Sequence, residues 1–133
     1  MKYLLDTHIL IWVLFEPSKL SDEVRSILIN RIDNQIYVSA VSFWEIAIKF
    51  RTGKIGLGPY QPNDLPQACL ESGFEILPLT VSETSSFHQL LADYHKDPFD
   101  RMLIWQAIKA NYLFISDDEN VRKYRSEGLR IIS

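Results

Sequence analysis

The chain has 133 residues, 47% of them hydrophobic and 23% charged, which fits one domain over residues 1–133 with a core of ordinary size. Its single cysteine, Cys69, excludes an internal disulfide framework and a multi-cysteine zinc site. A formal net charge of −3 excludes a surface that is basic throughout, but it allows a local basic patch or metal-mediated phosphate binding. Asp6 and His8 interrupt the apolar N-terminal stretch, so it fits neither a signal peptide nor a membrane span, and we expect a cytoplasmic protein.

In the first half of the chain, short apolar strands alternate with helices. The pattern predicts strands over residues 2–5 and 36–38 and helices over 24–32 and 42–51, with a loop between the first strand and Pro17. Ser21 fits the N-cap of the first of these helices. Ser42 and Glu45, three residues apart, fit a capping box at the start of the second helix.

The second half continues the alternation after a loop rich in glycine and proline. Thr80 and Glu83 predict another capping box, and Asp97 before Pro98 predicts the start of a buried helix. Further helices are expected over 65–72 and 119–126, and further strands over 74–79, 112–116 and 129–132. Such alternation is typical of an α/β/α sandwich, in which helices cover both faces of a mainly parallel sheet.

Carboxylates stand where the predicted strands end or the predicted helices begin. Asp6 follows the first strand, Asp117 and Asp118 follow a late one, and Glu45 and Asp100 lie at helix starts. Each fits a helix cap when considered alone, but parallel sheets gather their ligands at the carboxyl ends of the strands. Acids that converge there are best kept ionised by a hard cation such as Mg²⁺ or Mn²⁺, a combination suited to phosphodiester hydrolysis.

Four sequence blocks resemble, in order, the motifs of PIN-domain proteins, and above all of VapC-type toxins from bacterial toxin–antitoxin pairs. The blocks are LLDTH at 4–8, VSAVSFWEIA at 38–47, HKDPFDRML at 95–103 and FISDD at 114–118. The resemblance covers essentially the whole chain. It implies a three-layer sandwich with a five-stranded parallel sheet and the activity of a metal-dependent endoribonuclease that acts on RNA.

The resemblance also implies site residues and partners. Its catalytic and metal-binding acids correspond to Asp6, Glu45, Asp100 and Asp118, although Asp117 stays open as the fourth acid. Thr7 and Ser116 correspond to hydroxyls that orient a carboxylate, with Asp117 beside them. The implied cofactor is Mg²⁺ or Mn²⁺, and the implied partners are a cognate antitoxin and a second copy of the chain in a homodimer.

Basic side chains near the motif blocks suit contacts with RNA phosphates, and a solvated face explains each of them equally well. They are Lys49, Arg51, Lys96 and Arg101. His8 is expected to be structural, and Cys69 to be a packed thiol. The alternative function is that of a PIN-like module that binds RNA and has an inactive acid cluster.

Overall fold

The computed structural model describes all 133 residues, and its core is one five-stranded sheet. The strands are β1 (Lys2–Leu5), β2 (Gln35–Ser39), β3 (Glu75–Leu77), β4 (Leu113–Ile115) and β5 (Arg130–Ile132). All neighbouring strands are parallel, and their order is β3–β2–β1–β4–β5. This sheet confirms the predicted α/β class with its parallel, five-stranded centre.

Seven helices cover the two faces of the sheet. They are α1 (Thr7–Phe15), α2 (Asp22–Ile29), α3 (Ala40–Arg51), α4 (Leu65–Glu71), α5 (Val81–Ser86), α6 (Pro98–Ala110) and α7 (Glu119–Arg122). Because side chains alternate along β1, Tyr3 and Leu5 join one apolar core with α1, α2 and α4, while Leu4 joins another with α6 and α7. The molecule is therefore a three-layer α/β/α sandwich. No helix is both long and apolar enough to cross a bilayer.

The order of the strands reverses at the centre of the sheet. The chain runs from β1 outward through β2 to β3, and later returns to the other side of β1 with β4 and β5. Leu5 at the end of β1 is in register with Ile115 at the end of β4. In open α/β sheets such a reversal leaves a crevice beyond the carboxyl ends of the strands, so it places Asp6 and the residues after Ile115 side by side.

The stretch between β1 and Pro17 forms helix α1, so the prediction of a loop there is wrong. The Asp6 carboxylate caps this helix by accepting a hydrogen bond from the Thr7 backbone N–H at 2.8 Å. Its sequence, THILIWVLF, is apolar at almost every position and has no amphipathic period. Because this segment has no amphipathic period, its sequence did not predict a helix.

Helix α3 begins earlier than predicted, and the expected Ser42–Glu45 capping box is wrong. Ser39 is the N-cap, and its Oγ accepts from the Val41 N–H at 3.0 Å. Since this cap already serves the helix start, Ser42 and Glu45 lie inside the helix and both are buried. The capping explanation for Glu45 is thereby removed.

Most other predicted helix starts are confirmed, and the errors lie at the ends of elements. Ser21 caps α2, Thr80 and Glu83 form a capping box, and Asp97 precedes Pro98 at the start of α6. The helix expected over 119–126 divides into α7 and a 3₁₀ segment, Lys123–Glu127, that ends at Gly128. Helix α2 ends at Ile29, three residues before the predicted end at residue 32.

Candidate metal centre

A cavity of about 290 Å³ opens at the carboxyl edge of the sheet, and four acids line it together. Asp6 comes from the end of β1, Glu45 from α3, Asp100 from the first turn of α6, and Asp118 from the segment after β4. Thr7, His8, Trp12 and Lys49 lie in the same wall. The structure thus brings together all four acids that the sequence singled out, although they span most of the chain.

Asp6 is the most constrained of the four. It is 2% exposed, and its Oδ2 accepts a hydrogen bond from Ser116 Oγ at 2.7 Å. Burial raises the pKa of Asp6, while the charge of His8 and the hydrogen bonds from Ser116 and Thr7 oppose that rise. Its two oxygens are fixed by the chain itself, so its orientation does not depend on a ligand.

Glu45 is buried and incompletely paired. It is 2% exposed, its Oε2 accepts from Lys49 Nζ at 2.5 Å, and its Oε1 has no hydrogen-bond partner. A buried carboxylate oxygen without a partner is unfavourable in a folded protein. This oxygen therefore suits a cation bound in the cavity.

The Asp100 carboxylate accepts no hydrogen bond from the protein, and the buried His95 Nε2, which also has no hydrogen-bond partner, lies 3.4 Å from Asp100 Oδ2. Burial raises the pKa of Asp100 to about 8, and the charges of Asp6, Asp97, Glu45 and Asp118 add to the rise. A free, crowded carboxylate of this kind is the clearest candidate for a metal ligand.

Asp118, and not Asp117, faces the cavity. Asp118 Oδ1 also caps α7, because it accepts from the backbone N–H groups of Asn120 at 2.7 Å and Val121 at 3.4 Å. Asp117 is exposed, and its Oδ1 lies 2.5 Å from His8 Nε2. Asp118 therefore caps α7 and also lines the cavity, which favours it over Asp117 as the fourth acid.

Asp97 belongs to this acid cluster, which sequence reasoning missed because it treated Asp97 as a helix cap alone. Asp97 Oδ1 does cap α6, accepting from the N–H groups of Phe99 at 2.9 Å and Asp100 at 3.0 Å. Yet one carboxylate oxygen each of Glu45, Asp97 and Asp100 lies within 4.8 Å of the others. The signal was the spacing of Asp97 and Asp100, which places both in one helical turn.

The two hydroxyls expected to orient carboxylates differ in what they contact. Ser116 Oγ donates to Asp6, as described above. Thr7 Oγ1 instead lies 2.9 Å from Ser42 Oγ, so the expectation that the Thr7 hydroxyl orients a carboxylate is wrong. The Thr7–Ser42 bond joins α1 to α3, and it is the Thr7 backbone N–H that reaches Asp6.

The four basic residues expected to contact RNA are in different environments. Lys49 lines the cavity, while Arg51 and Lys96 are exposed to solvent. The prediction that Arg101 contacts RNA is corrected, because its Nη2 donates to the carbonyl oxygens of Leu90 and Ala92, each at 3.1 Å. These hydrogen bonds fix the loop that contains the two carbonyl groups. Burial lowers the pKa of Lys49, but the hydrogen bond and charge of Glu45 outweigh it and raise the pKa above its usual value.

The donor set fits a hard divalent cation. The acids that line the cavity offer carboxylate oxygens, which Mg²⁺ and Mn²⁺ prefer, and both Glu45 Oε1 and the Asp100 carboxylate are free of hydrogen bonds and available to bind. Cys69 lies elsewhere in a buried position where its pKa rises to about 11, so the thiol takes no part.

Solved structures with the same fold include three complexes. VapBC2 of Rickettsia felis, bound to a DNA fragment from its promoter, aligns with a TM-score of 0.73 at 15% identity, covering 99% of this chain and 98% of that one. DNA-bound VapBC of Salmonella typhimurium aligns with a TM-score of 0.69 at 17% identity, covering 99% of this chain and 97% of that one. VapBC-1 of nontypeable Haemophilus influenzae aligns with a TM-score of 0.66 at 17% identity, covering 100% of this chain and 98% of that one.

Comparison at the level of sequence gives a family and no individual relative. No curated protein sequence shows significant similarity to the chain. The family profile described as the PIN domain matches residues 3–127. That match includes all four cavity acids and nearly the entire sandwich, so this chain belongs to the PIN-domain family.

Proposed function

We propose that this PIN-domain protein is a Mg²⁺- or Mn²⁺-dependent endoribonuclease of the VapC type, the toxin of a toxin–antitoxin pair, with residues 1–133 acting as one nuclease domain. The observation that carries the proposal is the convergence of four acids from separate segments on one cavity, with a buried carboxylate oxygen of Glu45 left unpaired. A bound Mg²⁺ or Mn²⁺ supplies the Lewis acidity that lets water attack a phosphodiester near neutral pH.

The residues of the chain hold the reactants in place. Asp100 and Glu45 offer free oxygens, and Asp118 offers the oxygen that it does not use to cap α7. Asp6 holds its orientation through Ser116. Lys49 in the wall, with the exposed Arg51 and Lys96, supplies positive charge for RNA phosphates.

We also propose a cognate antitoxin as partner, together with a homodimer. An apolar groove of about 200 Å³ between α1 and α4 supports the antitoxin, since Leu14, Phe15, Tyr60 and Leu65 line it. Phe15 and Tyr60 lie with their ring centroids 6.1 Å apart there. Such a groove suits an apolar helix face or an extended segment of a small protein. The solved VapBC complexes with this fold support a partner of this kind.

Cleavage of RNA by the partner-free chain tests the nuclease proposal. We expect cleavage of single-stranded RNA in Mn²⁺ or Mg²⁺, none in EDTA, and a loss of at least about 100-fold in Asp100→Asn, which removes a metal ligand. Asp93→Asn, which removes an exposed acid outside the cavity, is the matched control and should cleave normally. Cleavage that continues in EDTA contradicts the proposal, and RNA binding without cleavage supports the inactive module.

A further inference from the structure

Lys49 is the one lysine or arginine that lines the acidic cavity. Its Nζ lies 2.5 Å from Glu45 Oε2, and the two residues are one helical turn apart on α3. Pairs with this spacing are common on helix surfaces, where both partners are solvated. This pair is different, because the Glu45 side chain is 3% exposed while that of Lys49 is 41% exposed. The ammonium therefore approaches a buried carboxylate from the cavity side.

The bond to Lys49 divides the two oxygens of Glu45 between different partners. Oε2 accepts a hydrogen bond from the Lys49 ammonium, and Oε1 is buried without a hydrogen-bond partner. Among the other acids, Asp6 uses both oxygens within the protein and Asp118 uses Oδ1 to cap α7. The oxygens that remain belong to Asp100, to Glu45 Oε1, to Asp118 Oδ2 and to Asp97 Oδ2, since Asp97 uses only Oδ1 to cap α6. One oxygen each of Glu45, Asp97 and Asp100 lies within 4.8 Å of the others, and this group is sufficient for one hard cation.

A second ion about 4 Å from the first would need carboxylate oxygens outside that group of three. Outside that group, Glu45 Oε2 is already bound by the Lys49 ammonium, both oxygens of Asp6 accept hydrogen bonds, and only Asp118 Oδ2 is without one. We infer that Lys49 takes the place of a second metal ion, so that the centre binds one divalent cation and uses the Lys49 ammonium as its other positive charge.

This inference rests on the proposed metal-dependent nuclease activity. It assigns one part of the positive charge in the site to a metal ion and the other part to Lys49. In RNA cleavage, Lys49 binds non-bridging oxygens of the scissile phosphate by hydrogen bonds and opposes their negative charge. No covalent bond forms or breaks at its nitrogen, and Lys49 remains protonated throughout. Its charge is fixed by the sequence, whereas that of a second ion would depend on the metal concentration.

Counting Mn²⁺ ions per folded chain by native mass spectrometry, without RNA, tests the inference. The wild type should bind one Mn²⁺ at saturation. Lys49→Met, which frees Glu45 Oε2, should bind two, and Lys49→Gln, which keeps an N–H donor and guards against misfolding, should also bind two. Lys49→Arg keeps the charge and should bind one. Lys54→Met is the matched control, because Lys54 is exposed and outside the cavity, and it should bind one.

The inference is overturned by two Mn²⁺ ions in the wild type, by one Mn²⁺ ion in both Lys49→Met and Lys49→Gln, or by two in Lys49→Arg. RNA cleavage measured in parallel separates this result from the proposed function. If the wild type cleaves RNA with metal but the Mn²⁺ counts do not change, the inference fails and the nuclease remains. If the counts change as expected but no RNA is cleaved, the cation arrangement stands and the proposed substrate fails.

Discussion

A carboxylate has two oxygens, and in this protein one of them often caps a helix while the residue also faces the cavity. Asp6 caps α1, Asp97 caps α6 and Asp118 caps α7, yet Asp6 and Asp118 line the cavity and Asp97 joins the acid cluster. Capping a helix and contributing to the acid cluster are therefore compatible for these residues. Sequence patterns could not decide between the two roles because both are present.

Asp117 and Asp118 should respond differently to substitution. Asp118→Asn should melt within about 1 °C of the wild type in EDTA, since Asn caps a helix about as well as Asp. It should lose most of the rise in melting temperature that Mn²⁺ gives the wild type by binding the folded state. Asp117→Asn should keep that rise. Calorimetry in EDTA and in Mn²⁺ checks this, and the reverse pattern would assign the ligand role to Asp117.

The pKa of Asp100 predicts a pH dependence for the metal-free protein. In the folded state this pKa is about 8, above the ordinary 3.8 of an unfolded chain, so the folded state keeps a proton that the unfolded state releases. The free energy of unfolding should therefore fall as the pH rises from about 4 to about 8. The raised pKa of Asp6 acts in the same direction.

Urea unfolding in EDTA measures this effect. We expect the wild type to lose roughly 1–3 kcal/mol across the range, less than the full pKa shift implies because solvent screens the partly exposed Asp100. Asp100→Asn should lose much less. Saturating Mn²⁺ should reverse the slope, since it binds the ionised carboxylates. A wild type whose metal-free stability increases over this range would contradict the crowding of acids in the cavity.

At the scale of elements, α3 and α6 are held by polar contacts that the apolar pattern did not predict. Gln106 on α6 is fully buried, its Oε1 accepts from Ser39 Oγ at 2.6 Å, and its Nε2 donates to the Pro78 carbonyl at 3.2 Å. Ser39 is also the N-cap of α3. Gln106 therefore links the helix that carries Asp100 to the start of the helix that carries Glu45.

Gln106→Leu should destabilise the fold by about 1–3 kcal/mol, because it leaves the hydroxyl proton of the buried Ser39 without an acceptor. Gln67→Leu, at an exposed position on α4, is the matched control and should change the stability little. Chemical denaturation of both variants measures the difference. Equal stabilities would show that the Gln106 contacts contribute nothing to holding the two helices.

Element boundaries show which physical signals are readable from sequence. Local cap chemistry located the starts of α2, α5 and α6, because Ser21, Thr80 and Asp97 act on their own first turn. Helix α1 was not predicted because it is apolar on all sides. The start of α3 was predicted at Ser42, whereas Ser39 is the N-cap in the structure. Local signals fail where burial, and not amphipathicity, selects the helix.

At the scale of the whole molecule, the parallel sandwich followed from the alternation of strands and helices, but the strand order did not. The placement of β1 between β2 and β4 depends on long-range pairing, such as that of Leu5 with Ile115. That order brings Asp6 next to Ser116 and Asp118. Motif resemblance identified the four acids, whereas the contribution of Asp97 and the pairing of Glu45 with Lys49 required the tertiary structure.

The groove between α1 and α4 predicts where the proposed antitoxin binds. Tyr60→Asp places a charge in the groove at a residue that is 52% exposed, so it should abolish co-purification with the small protein of the adjacent reading frame. Val81→Asp, at an apolar residue that is 82% exposed on α5, should leave the complex intact. Pull-down after co-expression tests both variants. A Tyr60→Asp chain that still forms the complex would place the partner elsewhere.

In the proposed reaction, the acids of the cavity use a metal ion to direct water at an RNA phosphodiester. Cleavage in ¹⁸O-labelled water with Mn²⁺ tests it most directly, with the product ends analysed by mass spectrometry. Attack by water puts one ¹⁸O atom on a 5′-phosphate and leaves a 3′-hydroxyl. We expect that labelled 5′-phosphate, and we expect none from Asp100→Asn. Unlabelled products that end in a 2′,3′-cyclic phosphate would show attack by the RNA's own 2′-hydroxyl and would contradict the claim.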